Sequence, residues 1–326
     1  VIRFFSAIHP VNIFVIFLTG ILIRIPIFNH PVLPSINESS GIIYSVLNRS
    51  VFTYLNEHAW IYPLLSYLIL FIQGLSFNGF LNEQKVFGSA HLLYTLVYVL
   101  FTALIPEWNT LSSGLFVNLI LALILPRFVF LYQKMQVQNE LFLLSFLAGM
   151  SSMIHKPSVV GLLLLFVLLL VFRSFKITEW FVVLIGFGLP YYLALVFLYV
   201  SDSWQQTEIM KPILTLSKPV FYRTPDDLLS AILIFIPCLL GVFYVWKYTA
   251  RFMVLQRKVW AFAFMYLLFS LFYFSCSPAV SGEALLLFFF PASFFITAFL
   301  YFPPVKFFPS LYVWLILSFV VVRYFI

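Results

Sequence analysis

The chain has 326 residues, of which 63% are hydrophobic and only 9% charged, and its formal net charge at pH 7 is +7. A mean hydropathy of +1.07 excludes a soluble globular fold, which needs far more surface charge. The excess of Lys and Arg is spread over many short connections, which points to membrane orientation and not to nucleic acid. The composition predicts an all-α, polytopic transmembrane helical bundle. No window reads as a soluble module, so one integral membrane domain is expected over residues 1–326.

A span needs roughly 17–25 mostly apolar residues. By that ruler about eleven segments qualify: 9–28, 60–80, 86–105, 112–132, 140–154, 158–173, 178–200, 227–247, 259–275, 283–302 and 309–325. The apolar residues 11–28 run on into FNHPVLPS, which lacks a small-x-small cleavage pattern, so the first span is expected to be a retained signal anchor. The segment 140–154 is short and ends in His155-Lys156-Pro157. That predicts a broken or tilted helix, tolerated where protein covers the opened backbone.

The positive-inside rule places the N-terminus in the cytoplasm, with the cluster KYTARFMVLQRK at 247–258 carrying much of the bias. The expected location is a bacterial inner membrane. The two longest connections, 29–59 and 201–226, then fall outside, with Glu38, Glu57, Glu107, Asp202, Glu208, Asp226, Asp227 and Glu283. Within the first of them, residues 39–55 place Ile43, Leu47, Val51, Tyr54 and Leu55 near one helical face, the pattern of an interfacial helix. Trp60 and Tyr62 read as interface aromatics at the re-entry.

Several residues stand out against this apolar background. Glu38 is either a charge complementing the start of the interfacial helix, with Ser35, Asn37, Ser39 and Ser40 supplying caps, or a general base held at the bilayer surface. Asp226 and Asp227 in RTPDDLLS fill the first turn of a helix behind Thr224 and Pro225, and read as structural. Glu283, flush against an apolar run, and Arg223 are further candidates on the same side. Arg24 and Arg127 lie near span ends and can snorkel; the functional reading of Arg24 is a cation for an anionic group. His155 and Lys156 form either an ordinary turn or a cation pair aimed at a head group.

Other chemistries find no support. The five histidines, His9, His30, His58, His91 and His155, never recur at helical ligand spacing, which argues against a histidine-rich iron centre. GxxxxGK[ST], HExxH and GxSxG are absent from the chain. Cys238 and Cys276 read as small buried hydrophobes.

The first outer loop resembles that of the GT-C superfamily of polyprenyl-phosphate-sugar-dependent glycosyltransferases. The residues carrying the resemblance are Arg24, Pro26 and Glu38, followed by the helix at 39–55. LLSFLAGMSSMIHKPSVVGLLLLFVLLL at 143–170 is similar to the family's glycine-containing span, lysine and apolar span, and FFFPASFFI at 288–296 to its late proline-containing span. The resemblance implies a polyprenyl-phosphate sugar as lipid partner, Arg24, Lys156 and His155 around its phosphate, and Glu38 as catalytic carboxylate. It implies no organic cofactor and leaves room for a divalent metal. Read without it, the chain also fits a transporter or flippase, with Gln73, Asn118 and Ser145 as mid-membrane polar groups, or a non-catalytic membrane subunit of an envelope assembly. A second resemblance links VIRFFSAIHPVNIFVIFLTG and SPAVSGEALLLFFFP to an uncharacterised family of Bacteroidota polytopic inner-membrane proteins. Some members of that family carry the description beta-carotene monooxygenase, which the histidine spacing does not support.

Overall fold

The computed structural model describes residue 5 and residues 8–132, 134, 136–204, 207, 225–276, 282–303, 305 and 307–325. Its helices are α1 (Pro10–Asn29), α2 (Ile42–Leu47), α3 (Thr53–Leu55), α4 (Ile61–Glu83), α5 (Leu93–Thr102), α6 (Ser113–Leu131), α7 (Gln138–Ile154), α8 (Gly161–Phe172), α9 (Ile177–Val200), α10 (Pro225–Tyr248), α11 (Val254–Cys276), α12 (Gly282–Tyr301) and α13 (Phe307–Phe325). Each of the expected apolar segments contains a helix, though not each helix has the length of a span. Among the described residues, 7 helices are long and apolar enough to cross a membrane: α1, α4, α6, α9, α10, α11 and α13. The chain is therefore a helical protein with the character of an integral membrane protein.

Local chemistry sets the helix starts. Pro10 fills the first position of α1, where its missing N–H is harmless, and the His9 ring accepts from Val11 N at 3.3 Å. Ser112 caps α6 by accepting from Leu115 N at 3.4 Å.

Two segments depart from expectation. The apolar stretch 86–105 holds a helix of only 10 residues, roughly 15 Å long and about half the hydrocarbon thickness. The interfacial helix is broken, with α2 passing through a π turn at Asn48–Phe52 into α3. The face it turns into the bundle carries Tyr44 and Phe52, while Val51 and Tyr54 of the expected interfacial face are exposed. Tyr62 is likewise buried, its hydroxyl donating to Phe52 O, while Trp60 stays exposed.

Every residue of α5 is buried. Its Tyr98 stacks on Phe289 of α12 with ring centroids 5.7 Å apart, and on α12 Phe294 stacks on Trp260 of α11 at 4.2 Å. Small residues allow the closest helix approaches. A Cβ on Gly149 of α7 would stand 2.4 Å from Phe187 O of α9, and one on Gly241 of α10 would stand 1.8 Å from Phe295 O of α12.

Apart from the buried Gln73, Tyr98 and Asn118 cluster, many of the polar contacts fall at two ends. One end gathers the end of α1, the starts of α4, α6 and α10, and the ends of α5, α7 and α13. The opposite end gathers Asn82 and His91 between α4 and α5, and Arg173 after α8. There Arg173 pairs with Glu179 at 2.8 Å while donating to Leu131 O and Lys134 O beyond α6.

His91 sits in the α4–α5 connection, fully buried against Phe87 and Tyr301. Burial pulls its pKa down to about 4. The unfolded chain binds this proton first as pH falls, since an unperturbed histidine titrates near 6.5. The His91 contribution is thus intact above about pH 6.5 and is lost on the way down to about 4, on the order of 3 kcal/mol in all. His91→Phe should flatten this acid limb in thermal unfolding followed from pH 7 to pH 4.

Candidate functional site

The first long connection does not hang free. Residues 39–41 pair with the α7–α8 turn as a short antiparallel bridge. Gly41 N donates to Ile154 O at 2.8 Å and Lys156 N donates to Ser39 O at 2.8 Å, with Ser40 opposite His155. Gly41 is required there, because a Cβ would stand 2.0 Å from Met153 O. Ser39 and Ser40 are buried by the pairing, and Asn37 N donates to Ser40 Oγ at 3.0 Å to turn the chain before it.

This bridge brings Glu38 and Lys156 together. Glu38 is exposed, in the turn preceding Ser39 and outside the first turn of α2, so of its two readings the helix-end charge does not apply. Lys156 is partly buried. Burial lowers its pKa, and the nearby Glu38 charge opposes that by favouring the ammonium. His155 points the other way, fully buried, its Nδ1 2.8 Å from Ser113 Oγ at the start of α6.

An apolar groove of about 470 Å³ begins one residue along from the bridge on each strand. Ile42, Ile43, Val46 and Leu47 of α2 form one wall and Met150 and Met153 of α7 another, with Pro190, Leu193, Ala194 and Phe197 of α9 completing it. Leu193 and Phe197 are largely exposed, so the groove opens sideways. The apolar face of α2, expected to lie on the bilayer surface, lines this groove.

Arg24 is placed elsewhere. It is 1% exposed and makes four hydrogen bonds within the bundle. Its Nε donates to Asn109 Oδ1 at 2.6 Å, Nη1 to Gly20 O at 3.1 Å, and Nη2 to Val99 O at 3.0 Å and Thr102 Oγ1 at 2.9 Å. Tyr67 lies beneath the guanidinium at 4.9 Å. The expected phosphate contact is thus replaced by the last turn of α5. The sequence gives no signal for this, since Asn109 is 85 residues away.

The remaining candidates separate. Arg223 and the side chain of Glu283 lie outside the described residues. Asp227 stands in the first turn of α10, as expected, and also pairs with Arg323 of α13 at 2.6 Å, a contact that sequence reasoning missed. Gln73, Tyr98 and Asn118 are fully buried and bonded to one another, Tyr98 Oη donating to Gln73 Oε1 at 2.7 Å and Asn118 Nδ2 to Tyr98 Oη at 2.8 Å. Ser145 Oγ donates to Phe142 O in its own helix at 3.0 Å. Cys238 is buried. Among the described residues, no three of His, Cys, Asp and Glu gather as a metal site.

No protein-family profile, curated protein or solved structure matches the chain. The two resemblances therefore rest on the residues that carry them.

Two outcomes follow from this geometry. Arg24→Met leaves buried acceptors without donors and should lower stability by on the order of 3 kcal/mol, read as thermal unfolding in detergent. Arg24→Lys should recover only part, because an ammonium lacks the planar fork. Separately, Glu38→Gln removes the charge that favours the Lys156 ammonium. Lys156 should then be acetylated faster at a fixed mildly alkaline pH, measured by mass spectrometry, and an unchanged rate would separate the two residues.

Proposed function

We propose that the protein is a membrane enzyme acting on a lipid-linked substrate at the Glu38 end of the bundle, in the manner of a GT-C-like polyprenyl-phosphate-sugar-dependent glycosyltransferase. One observation carries the reading: an exposed carboxylate lies near enough to a partly buried lysine to favour its ammonium, and the paired segments that carry both run directly into the walls of a sideways-open apolar groove. A lipid tail suits the groove, because its walls offer hydrocarbon contacts. Lys156 then meets the phosphate as a point charge. Glu38 takes the proton of the acceptor hydroxyl, whose oxygen forms the new bond to the sugar's anomeric carbon. The bond from that carbon to the phosphate oxygen breaks, and the lipid phosphate leaves with its charge opposite Lys156.

Under this proposal the Glu38 end faces the extracytoplasmic side of a bacterial inner membrane, with the N-terminus inside. Arg24 supports the fold and not the phosphate. That engagement also favours a second reading, a non-catalytic membrane subunit of an envelope assembly, in which the groove holds a partner helix.

The test is a Glu38→Gln chain expressed to wild-type level in its native host. Enzymatic action predicts loss of one extracytoplasmic glycan or glycoprotein product, as complete as in a deletion strain. A profile altered by deletion but untouched by Glu38→Gln would move the subunit reading ahead.

A further inference from the structure

The turn that carries Lys156 to the surface also sends Ser158 inward. Beneath it, between α6, α7, α8, α11 and α12, lies a cavity of about 20 Å³, above the roughly 10–15 Å³ that admits one water. Its lining holds five hydroxyls: Ser151, Ser158, Tyr266, Ser270 and Tyr273, each 5% exposed or less. Ser151 Oγ and Ser270 Oγ donate to carbonyls of their own helices at 2.7 Å. Ser158 Oγ and Tyr266 Oη are buried and have no hydrogen-bond partner among the described residues. A buried hydroxyl without a partner is costly, and more so where the surroundings are hydrocarbon. Two residues with such groups line one water-sized space, so a shared partner there would relieve both.

We infer that this cavity is a bound-water site, in which water bridges Tyr266 Oη and Ser158 Oγ and seats the α7–α8 turn on the bundle. Water fits better than a cation, because none of the lining side chains is acidic and an unbalanced charge is strongly disfavoured in an apolar interior. The same short turn thus has a wet surface side at Lys156 and a wet inner side at Ser158, and His155 just before them is tied to Ser113. This assignment does not depend on the enzymatic proposal.

X-ray radiolytic labelling of the full chain in lipid nanodiscs tests it directly, because hydroxyl radicals form at bound waters and oxidise the side chains touching them. Tyr94 is the control: it is as buried as Tyr266, and its hydroxyl donates to Phe290 O at 3.3 Å. The expected result is several-fold faster oxidation of Tyr266 than of Tyr94, with the excess lost in Ser158→Ala. Tyr266→Phe gives an independent reading through its sign. Loss of a water-bonded hydroxyl lowers the Tm, whereas loss of an unbonded one raises it. Tyr266 oxidised no faster than Tyr94, or a Tyr266→Phe chain more thermostable than wild type, overturns the inference.

Discussion

A helix that stops inside a membrane protein leaves carbonyls that neither water nor the next turn can satisfy. α5 is such a helix. It ends at Thr102 while still wholly buried, and the connection after it remains partly inside the bundle, with Trp108 and Asn109 buried. The chain answers with donors drawn from almost everywhere else. Arg24 of α1 reaches Val99 O, Arg323 of α13 and Ser230 of α10 reach Leu104 O, Ser66 of α4 reaches Asn109 O, and Tyr44 of α2 reaches Leu111 O. Arg173 does the same at the opposite end for Leu131 O. Arginine suits this work because its fork serves several acceptors at once.

The connection after α5 also positions the candidate site. Tyr44 fixes α2 to Leu111, and His155 fixes the α7–α8 turn to Ser113, only two residues further along. With both flanks held on one segment, the pairing of residues 39–41 with 154–156 has little freedom, and Glu38 and Lys156 are carried to the same place. The groove follows from the same arrangement, since α2 is held across α7 and α9 without filling the space between them. Satisfaction of buried polar backbone ends, not attraction between Glu38 and Lys156, is what assembles the surface.

Much of the bundle is legible in the sequence because apolar run length governs membrane helices, and the runs at 9–28, 178–200 and 309–325 fall within a few residues of α1, α9 and α13. The shortness of α5 is not legible. Residues 86–105 are apolar almost throughout, and only the chain reversal near Gly88, with its φ of 82°, separates connection from helix. Arg24 reads as a snorkelling cation because its position near a span end is visible and its distant partner is not. Asp227 reads as a helix-start residue, which it is, while Arg323 lies 96 residues beyond it. Glu38 reads either as a charge at a capped helix start or as a reactive surface carboxylate, because the serines and asparagine around it look like caps, yet those residues turn the chain into the bridge with the α7–α8 turn. The one local sign of that bridge is Gly41, the residue that tolerates the close carbonyl.

The claim that buried ends organise this molecule is tested most directly by a cryo-electron microscopy map of the protein in lipid nanodiscs, at a resolution that shows side chains. The account predicts Arg24 density continuous with Asn109, Thr102 and the last turn of α5, closed off from lipid. Arg24 turned to the bilayer surface against lipid phosphate density would contradict it, and would return that arginine to the substrate side.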